Sequence, residues 1–308
     1  MRVGIIGVGG VGGFYGGKLA YHYTSGQDTE IAFLARGPHL ERIRGRGLRL
    51  ITPDGECLAR PALATDDPKS LGNLDLVIFS VKGYDLEETA ASLKQNLGGE
   101  SVVLPLLNGV GNAESLASVL GHGRILNGCV YLSAHMEAPG IVRHVGGPGQ
   151  LYFGPEEGSP EPYRSIEALL KEAGIPAELK PNIREVVWEK YIFISPLASV
   201  TSLRRESIGE VLEGEESRAL TQGLMEEVAR LAHAKGVRLP DDIVASSLDK
   251  GSGFPRETKT SMQLDFEQDK KTELETFTGY VVKTAQALGI DAPLHGEVYA
   301  ALKKMSKP

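Results

Sequence analysis

Apolar positions follow two regimes along this chain. Up to about residue 180, short apolar runs alternate with longer segments of helical spacing; beyond it helical spacing takes over. The runs Arg2–Ile6, Glu30–Leu34, Leu74–Val81, Ser101–Leu106 and Ile125–Tyr131 predict strands, with helices at Val11–Tyr23 and Leu86–Leu97 between them. Strand and helix in alternation predict a parallel sheet covered on both faces. Within it, Leu76-Val77-Ile78-Phe79 reads as a strand buried on both sides. Leu48–Leu63 carries Pro53-Asp54-Gly55 in its middle, a turn signal between two strands. Ile141–Val145 and Leu151–Phe153 predict a second pair about a Gly-Pro-Gly turn, and both pairs read as antiparallel additions to the sheet.

From Asn182 onward the periodicity predicts helices over Ile183–Ser195, Ile208–Lys235, Asp241–Leu248, Thr258–Leu288 and Leu294–Met305. Gly236 and Gly289 stand where helix C-caps are expected. The change near Pro181 divides the chain into an α/β unit, residues 1–181, and an all-α unit, residues 182–308.

Composition narrows the class. With 41% hydrophobic and 24% charged residues, the chain is expected to be soluble and globular. A net charge of −7 argues against coating nucleic acid, which needs a surplus of Lys and Arg. The two cysteines, Cys57 and Cys129, have neither metal-ligand spacing nor the number for a disulfide framework, which predicts a reducing, cytoplasmic setting and no metal. No run approaches the roughly 20 apolar residues that cross a bilayer. Val3–Ile6 leads straight into a glycine loop, so a strand there leaves no place for a removable leader.

That loop, Gly7-Val8-Gly9-Gly10-Val11-Gly12, carries the first chemical signal. Gly7, Gly9 and Gly12 have the GxGxxG spacing, between a predicted strand and a predicted helix. In such a unit the first glycine makes the tight turn, the second lets backbone approach a pyrophosphate, and the third lets helix and strand pack closely. At the end of the second strand, where an acidic residue would bind a ribose hydroxyl, stands Arg36. A guanidinium there suits a 2′-phosphate and so favours NADP(H). Lys82 and Asn108 close two further strands, the end at which open α/β sheets bind ligands. In the helical part, Lys190 lies within the strongly apolar Val186–Ile194, either snorkelling to the surface or serving as a proton donor. Thr258, Ser261 and Asp265 share one face of the predicted helix, with Glu273 two turns on: a polar-ligand stripe or a solvated face.

Together these residues resemble the ketopantoate reductase (2-dehydropantoate 2-reductase) family. The likeness rests on the glycine run, Ala35-Arg36, Val81-Lys82-Gly83, Leu107-Asn108-Gly109-Val110-Gly111, Asn182-Ile183-Arg184 with Trp188-Glu189-Lys190, and Thr260-Ser261-Met262 through Asp265 to Thr272-Glu273, in that order over nearly the whole chain. The resemblance implies a Rossmann-type N-terminal domain, a 6-phosphogluconate-dehydrogenase-like helical C-terminal domain and a site in the cleft between. It implies NADPH-dependent reduction of a 2-oxo acid to a 2-hydroxy acid in pantothenate synthesis, with a small molecule as partner. The C-terminal helices could pack within one chain or pair across two, as a homodimer. Carried over by position, Gly7 to Gly12 and Arg36 hold the cofactor, helped by Lys82 and Asn108. Lys190 is the general acid, Ser261 reaches the substrate carboxylate, Asn108 lies near the substrate, and Glu273 contacts it and steadies the lysine.

The chain departs from the family pattern at Ile194, Ala198, Ile208 and Thr258, where many members carry asparagine. Apolar side chains there remove hydrogen bonds to a hydroxyl-bearing substrate. The alternatives are therefore a related 2-hydroxy-acid dehydrogenase for another branched or aromatic 2-oxo acid, and a non-catalytic NADPH sensor. Retention of Lys190 and Glu273 counts against the sensor.

Overall fold

The computed structural model describes residues 1–24, 26 and 28–306. It divides into two compact units, one of Met1–Leu107 with Asn112–Ile183, the other of Asn108–Gly111 with Arg184 onward. In chain order the first unit runs β1 (Arg2–Ile6), α1 (Gly10–His22), β2 (Glu30–Leu34), α2 (Gly37–Arg46), β3 (Leu48–Thr52), β4 (Gly55–Ala59), β5 (Leu63–Thr65), β6 (Leu76–Phe79) and α3 (Leu86–Leu93). It continues with β7 (Val102–Pro105), α4 (Asn112–Leu120), β8 (Arg124–Ile125), β9 (Asn127–Ala138), β10 (Ile141–Gly154), α5 (Arg164–Glu172) and β11 (Ala177–Leu179).

Six strands form a parallel sheet in the order β5-β2-β1-β6-β7-β8. All four residues of β6 are buried, as a strand covered on both faces requires. The order reverses direction between β1 and β6, which opens a crevice at the carboxyl ends of these two strands.

The predicted additions to this sheet are instead a second sheet, β11-β10-β3-β4, with β9 paired to β10. β3 and β4 do form an antiparallel hairpin about the Pro53-Asp54-Gly55 turn. The predicted pair Ile141–Val145 and Leu151–Phe153 is one continuous strand, β10, antiparallel to β9. Register shifts at His144/Gly146 and Gly146/Gln150 take up the Gly-Pro-Gly segment as bulges, where a missing N–H is tolerated. Helix α1 packs against strands of both sheets. Its glycines permit this: a Cβ on Gly10 would lie 2.0 Å from the Ala134 carbonyl oxygen, and one on Gly13 2.5 Å from Val142 Cγ2.

The second unit holds α6 (Ile183–Arg204, its first residue in the first unit), α7 (Ile208–Glu213), α8 (Glu215–Ala234), α9 (Ile243–Ser252), α10 (Ser261–Glu267), α11 (Tyr280–Leu288) and α12 (Pro293–Met305). α6 runs nine residues past its predicted end at Ser195, through Pro196, because Leu197, Ala198 and Val200 are buried and hold the helix together. The predicted helix Thr258–Leu288 is broken. α10 starts only after Thr260 and stops before Asp269, whose φ of +53° is left-handed; a π turn, Glu275–Gly279, then leads into α11. Thr258 and Glu273 therefore lie outside α10, and the predicted four-residue stripe reduces to Ser261 and Asp265. Gly236 and Gly289 take left-handed conformations behind α8 and α11. Among the described residues, no helix is long and apolar enough to cross a membrane.

Candidate active site

In the first unit the candidate groups are backbone. After β1 the chain turns at Gly7, whose φ of +87° favours glycine. Gly7 N–H donates to the Leu34 carbonyl at 3.1 Å, and Ser80 Oγ donates to the Gly7 carbonyl at 2.8 Å, so β2 and the end of β6 hold the turn from both sides. A Cβ on Gly12 would stand 2.0 Å from the Gly7 carbonyl oxygen, whereas one on Gly9 would meet nothing within 4 Å. The close approach and the open side fall where the spacing placed them. α1 begins with no side-chain cap and no acidic residue in its first turn, which leaves N–H groups and a positive dipole end facing outward. These residues fit a pyrophosphate. Val8 packs in the core and Val11 against it, so at these positions backbone is what a ligand can use.

Arg36 follows β2 at the head of α2, its side chain 89% exposed and Nη2 3.5 Å from Asp85 Oδ2. Asp85 ends a short 3-10 turn whose first cap is Lys82; its N–H donates to the Lys82 carbonyl at 2.9 Å. The ends of β2 and β6 thus meet through one ion pair. His39, in the first turn of α2, accepts the Gly140 N–H on Nδ1 at 2.9 Å. Burial pushes His39 below its ordinary value, so the imidazole that accepts the Gly140 N–H is neutral.

In the second unit the candidate groups are side chains. The loop Asn108–Gly111, which follows β7 in sequence, packs with the helical unit. Gly109 turns it at φ +104°, and a Cβ on Gly111 would lie 2.7 Å from Tyr280 Cε2. On α6, Trp188, Tyr191 and Ile192 are buried while Lys190 is half-buried. Lys190 Nζ donates to Asn108 Oδ1 at 3.0 Å. The neighbouring Tyr191 donates to the Phe277 and Thr276 carbonyls at 2.6 and 3.1 Å, and burial pushes its hydroxyl far above the usual range. That bond ties α6 to the π turn. Glu273, 5% exposed, lies two residues before the turn and accepts the Thr276 and Phe277 N–H groups on its backbone carbonyl at 3.0 and 3.1 Å. Ser261 is exposed at the first position of α10. The cap of that helix, Thr260, meets Thr201 of α6 at 2.8 Å between hydroxyls. Lys190 and Thr201 are eleven residues apart on α6, about 16 Å of axis.

Comparison with known proteins identifies the family. Residues 3–158 match the family described as Ketopantoate reductase PanE/ApbA, and residues 182–306 match Ketopantoate reductase PanE/ApbA C terminal. The chain belongs to the ketopantoate reductase family. It is thus an oxidoreductase of that family. A 2-dehydropantoate 2-reductase of Halobacterium salinarum is 31% identical over 297 residues, covering 96% of this chain and 95% of its own. The crystal structure of a 2-dehydropantoate 2-reductase from Porphyromonas gingivalis W83 is 36% identical, with a TM-score of 0.84 over 98% of this chain and 99% of its own. That of a PanE/ApbA family ketopantoate reductase from Ralstonia eutropha JMP134 is 32% identical, with a TM-score of 0.89 over 99% and 98%.

Within this family member the four departing positions fall into two groups. Ile194 and Ala198 continue the Lys190 stripe of α6, half-buried and 1% exposed respectively. Ile208 is 5% exposed, and its N–H donates to the Thr258 carbonyl at 2.8 Å. Sequence reasoning passed over Ser80, His39, Tyr191 and Thr201. Ser80 was legible as a hydroxyl at a strand end beside the glycine loop; the other three act across long sequence separations and carry no local signal.

Proposed function

We propose that this ketopantoate reductase family member uses NADPH to reduce 2-dehydropantoate to pantoate, as a cytoplasmic enzyme of pantothenate synthesis, with Lys190 as general acid. The observation that carries the reading is the half-buried Lys190 ammonium bonded to Asn108 Oδ1 at 3.0 Å. The glycine loop from Gly7 to Gly12 holds the pyrophosphate, Arg36 the 2′-phosphate, and Lys82 and Asn108 complete the cofactor's surroundings. Bound NADPH supplies the hydride that adds to the carbonyl carbon. The task left to the chain is the negative charge that builds on the carbonyl oxygen. Lys190 stabilises that charge and gives the oxygen its proton; solvent then restores the ammonium. Asn108 Oδ1 is an acceptor only, so it orients the ammonium and favours its charged form. Ser261 donates to the substrate carboxylate, and Glu273 holds the lysine. A homodimer is the proposed assembly, to be checked by sedimentation equilibrium.

A second reading has its own support. Ile194, Ala198 and Ile208 offer no hydrogen bond to a substrate hydroxyl, which favours a 2-oxo acid with a branched or aromatic apolar side chain. Steady-state assays on 2-dehydropantoate, 2-oxoisovalerate and benzoylformate, each with NADPH and NADH, separate the two. The first reading expects the highest kcat/KM for 2-dehydropantoate with NADPH. Negligible turnover of it beside rapid use of another acid would select the second.

A further inference from the structure

Three segments of the helical unit carry side chains on which the proposed chemistry rests: α6 with Lys190, the loop with Asn108, and the stretch before the π turn with Glu273. One aromatic cluster touches the helix, the loop and the π turn. Tyr191 stands next to Lys190 on α6. Its ring lies 5.9 Å from that of Trp188, one turn back on the same helix. It lies 6.4 Å from Phe277 of the π turn and 6.0 Å from Tyr280 at the start of α11. Tyr280 in turn lies against Gly111 of the Asn108 loop, where an added Cβ would stand 2.7 Å from its ring.

Packing does not explain the Tyr191 hydroxyl. The residue is 1% exposed, phenylalanine would fill the same space, and a buried hydroxyl is costly unless it is hydrogen-bonded. The Tyr191 O–H donates to the Phe277 carbonyl at 2.6 Å, with the Thr276 carbonyl at 3.1 Å as a second acceptor. The N–H groups of the same two residues donate to the Glu273 backbone carbonyl at 3.0 and 3.1 Å. The Thr276 carbonyl and the Phe277 N–H share one planar peptide unit, so a single rigid group joins the hydroxyl to Glu273. About two turns further along α6, Ser199 Oγ meets Thr278 Oγ1 at 2.8 Å, a second tie between helix and turn. π turns are rare and recur at functional sites. Burial pushes the Tyr191 hydroxyl far above the usual range, so it stays protonated and serves as a fixed donor.

We propose that Tyr191 is a positioning residue for the proton transfer: its hydroxyl sets the π turn, and with it Glu273, against the turn of α6 that carries Lys190. The proposal rests on the reading of Lys190 as general acid. Through Tyr280 and Gly111 the same cluster fixes the loop whose Asn108 accepts from Lys190. Without the hydroxyl, two carbonyls of the turn lose their donor and the turn is free to shift. A displacement of about 1 Å at a reacting group can cost on the order of 10²-fold in rate.

The test is Tyr191→Phe, which keeps the ring and removes only the hydroxyl, assayed with whichever of the three 2-oxo acids above is turned over fastest. The expected result is a fall of about ten- to a hundredfold in kcat and kcat/KM together, with NADPH affinity by fluorescence titration unchanged. In a Lys190→Ala background the same substitution should alter the residual turnover by less than about twofold, because the acid it positions is gone. Gly111→Ala presses on Tyr280 from the loop side, carries the same two expectations, and replaces Tyr191→Phe should that variant not fold. Wild-type kcat in Tyr191→Phe beside a strongly impaired Lys190→Ala would overturn the positioning role alone. An equal fractional loss in both backgrounds, or a lowered unfolding midpoint with kcat unchanged, would do the same. Wild-type turnover in Lys190→Ala would remove the acid itself, and the proposal with it.

Discussion

The glycine turn of the first unit and the lysine region of the second are built on opposite plans. In the proposed reading, the working groups around Gly7 are backbone N–H groups, and the side chains that matter are the ones missing. Hydrogen bonds of 2.8 and 3.1 Å to its own carbonyl and N–H hold the turn between neighbouring strands. In the same reading, the working groups around Lys190 are side chains from separate stretches of chain: Lys190 and Asn108 lie 82 residues apart, on a helix and a loop. The first plan is damaged by an atom added at Gly12, the second by a side chain lost at Lys190 or Asn108. Each plan fails in its own way, and that difference can be measured.

The largest expected effect is on the side-chain plan. Lys190→Ala should lower kcat by about 10²–10⁴-fold, the usual worth of a general acid, while NADPH binding followed by fluorescence titration stays intact. Unchanged turnover would remove Lys190 from the mechanism and the contrast with it. The backbone plan should fail differently. Gly12→Ala drives a methyl into the Gly7 carbonyl, an overpacking cost of about 1–3 kcal/mol or more, and should lower both the unfolding midpoint and nucleotide affinity. Gly9→Ala enters open space and should weaken the nucleotide with little change in midpoint. If both variants lowered the midpoint equally, the distinction between packing and approach would collapse. Arg36→Ala should raise KM for NADPH by about tenfold, the worth of one charge-assisted hydrogen bond at an exposed site, and leave KM for NADH unmoved. An equal rise for both nucleotides would show that Arg36 does not read the 2′-phosphate.

The smallest effect concerns stability of the helical unit. Glu227 on α8 accepts from the Leu294 and His295 N–H groups at 2.9 Å each and from His295 Nδ1 at 2.7 Å, so it caps the start of α12. Burial pushes His295 below its ordinary value despite the carboxylate. Burial pushes Glu227 up, but the His295 side chain and the two N–H groups prevail and hold it below the ordinary carboxylate value. Folded His295 is therefore neutral, while the unfolded chain takes up that proton below a pH of about 6.5. The unfolded state then binds more protons, so stability falls as pH drops through this range. The share from Glu227 is lost only lower, as pH falls through its folded value. The unfolding midpoint should decline from pH 7.5 to 5.5, and His295→Asn, which keeps a donor for Glu227, should flatten the decline. A slope unchanged in that variant would assign it to other groups, His39 among them.

Much of the fold was legible because it repeats a local rule. β1, β2 and their intervening helix α1 lie within a residue of where apolar runs and spacing put them. The failures have physical causes. β10 was split at Gly146–Gly149 because glycine and proline signal turns, but pairing along β9 carries the strand through as a bulge. Thr258–Leu288 was joined because periodicity persists across Gln268–Leu274, where the chain leaves the helix at Asp269. Helix α6 runs past Ser195 and through Pro196 because burial of the residues beyond holds it together.

Alone, the sequence determined the Rossmann-type order of elements and the glycine turn, since each depends on neighbours a few positions away. Only the tertiary structure decided that the sheet additions form a sheet of their own, that Asn108 packs with the helices, and that its amide meets Lys190. The reason is the same in each case. Pairing between strands and contact between distant side chains depend on which long-range burial wins, and nothing in a short window of chain records that outcome.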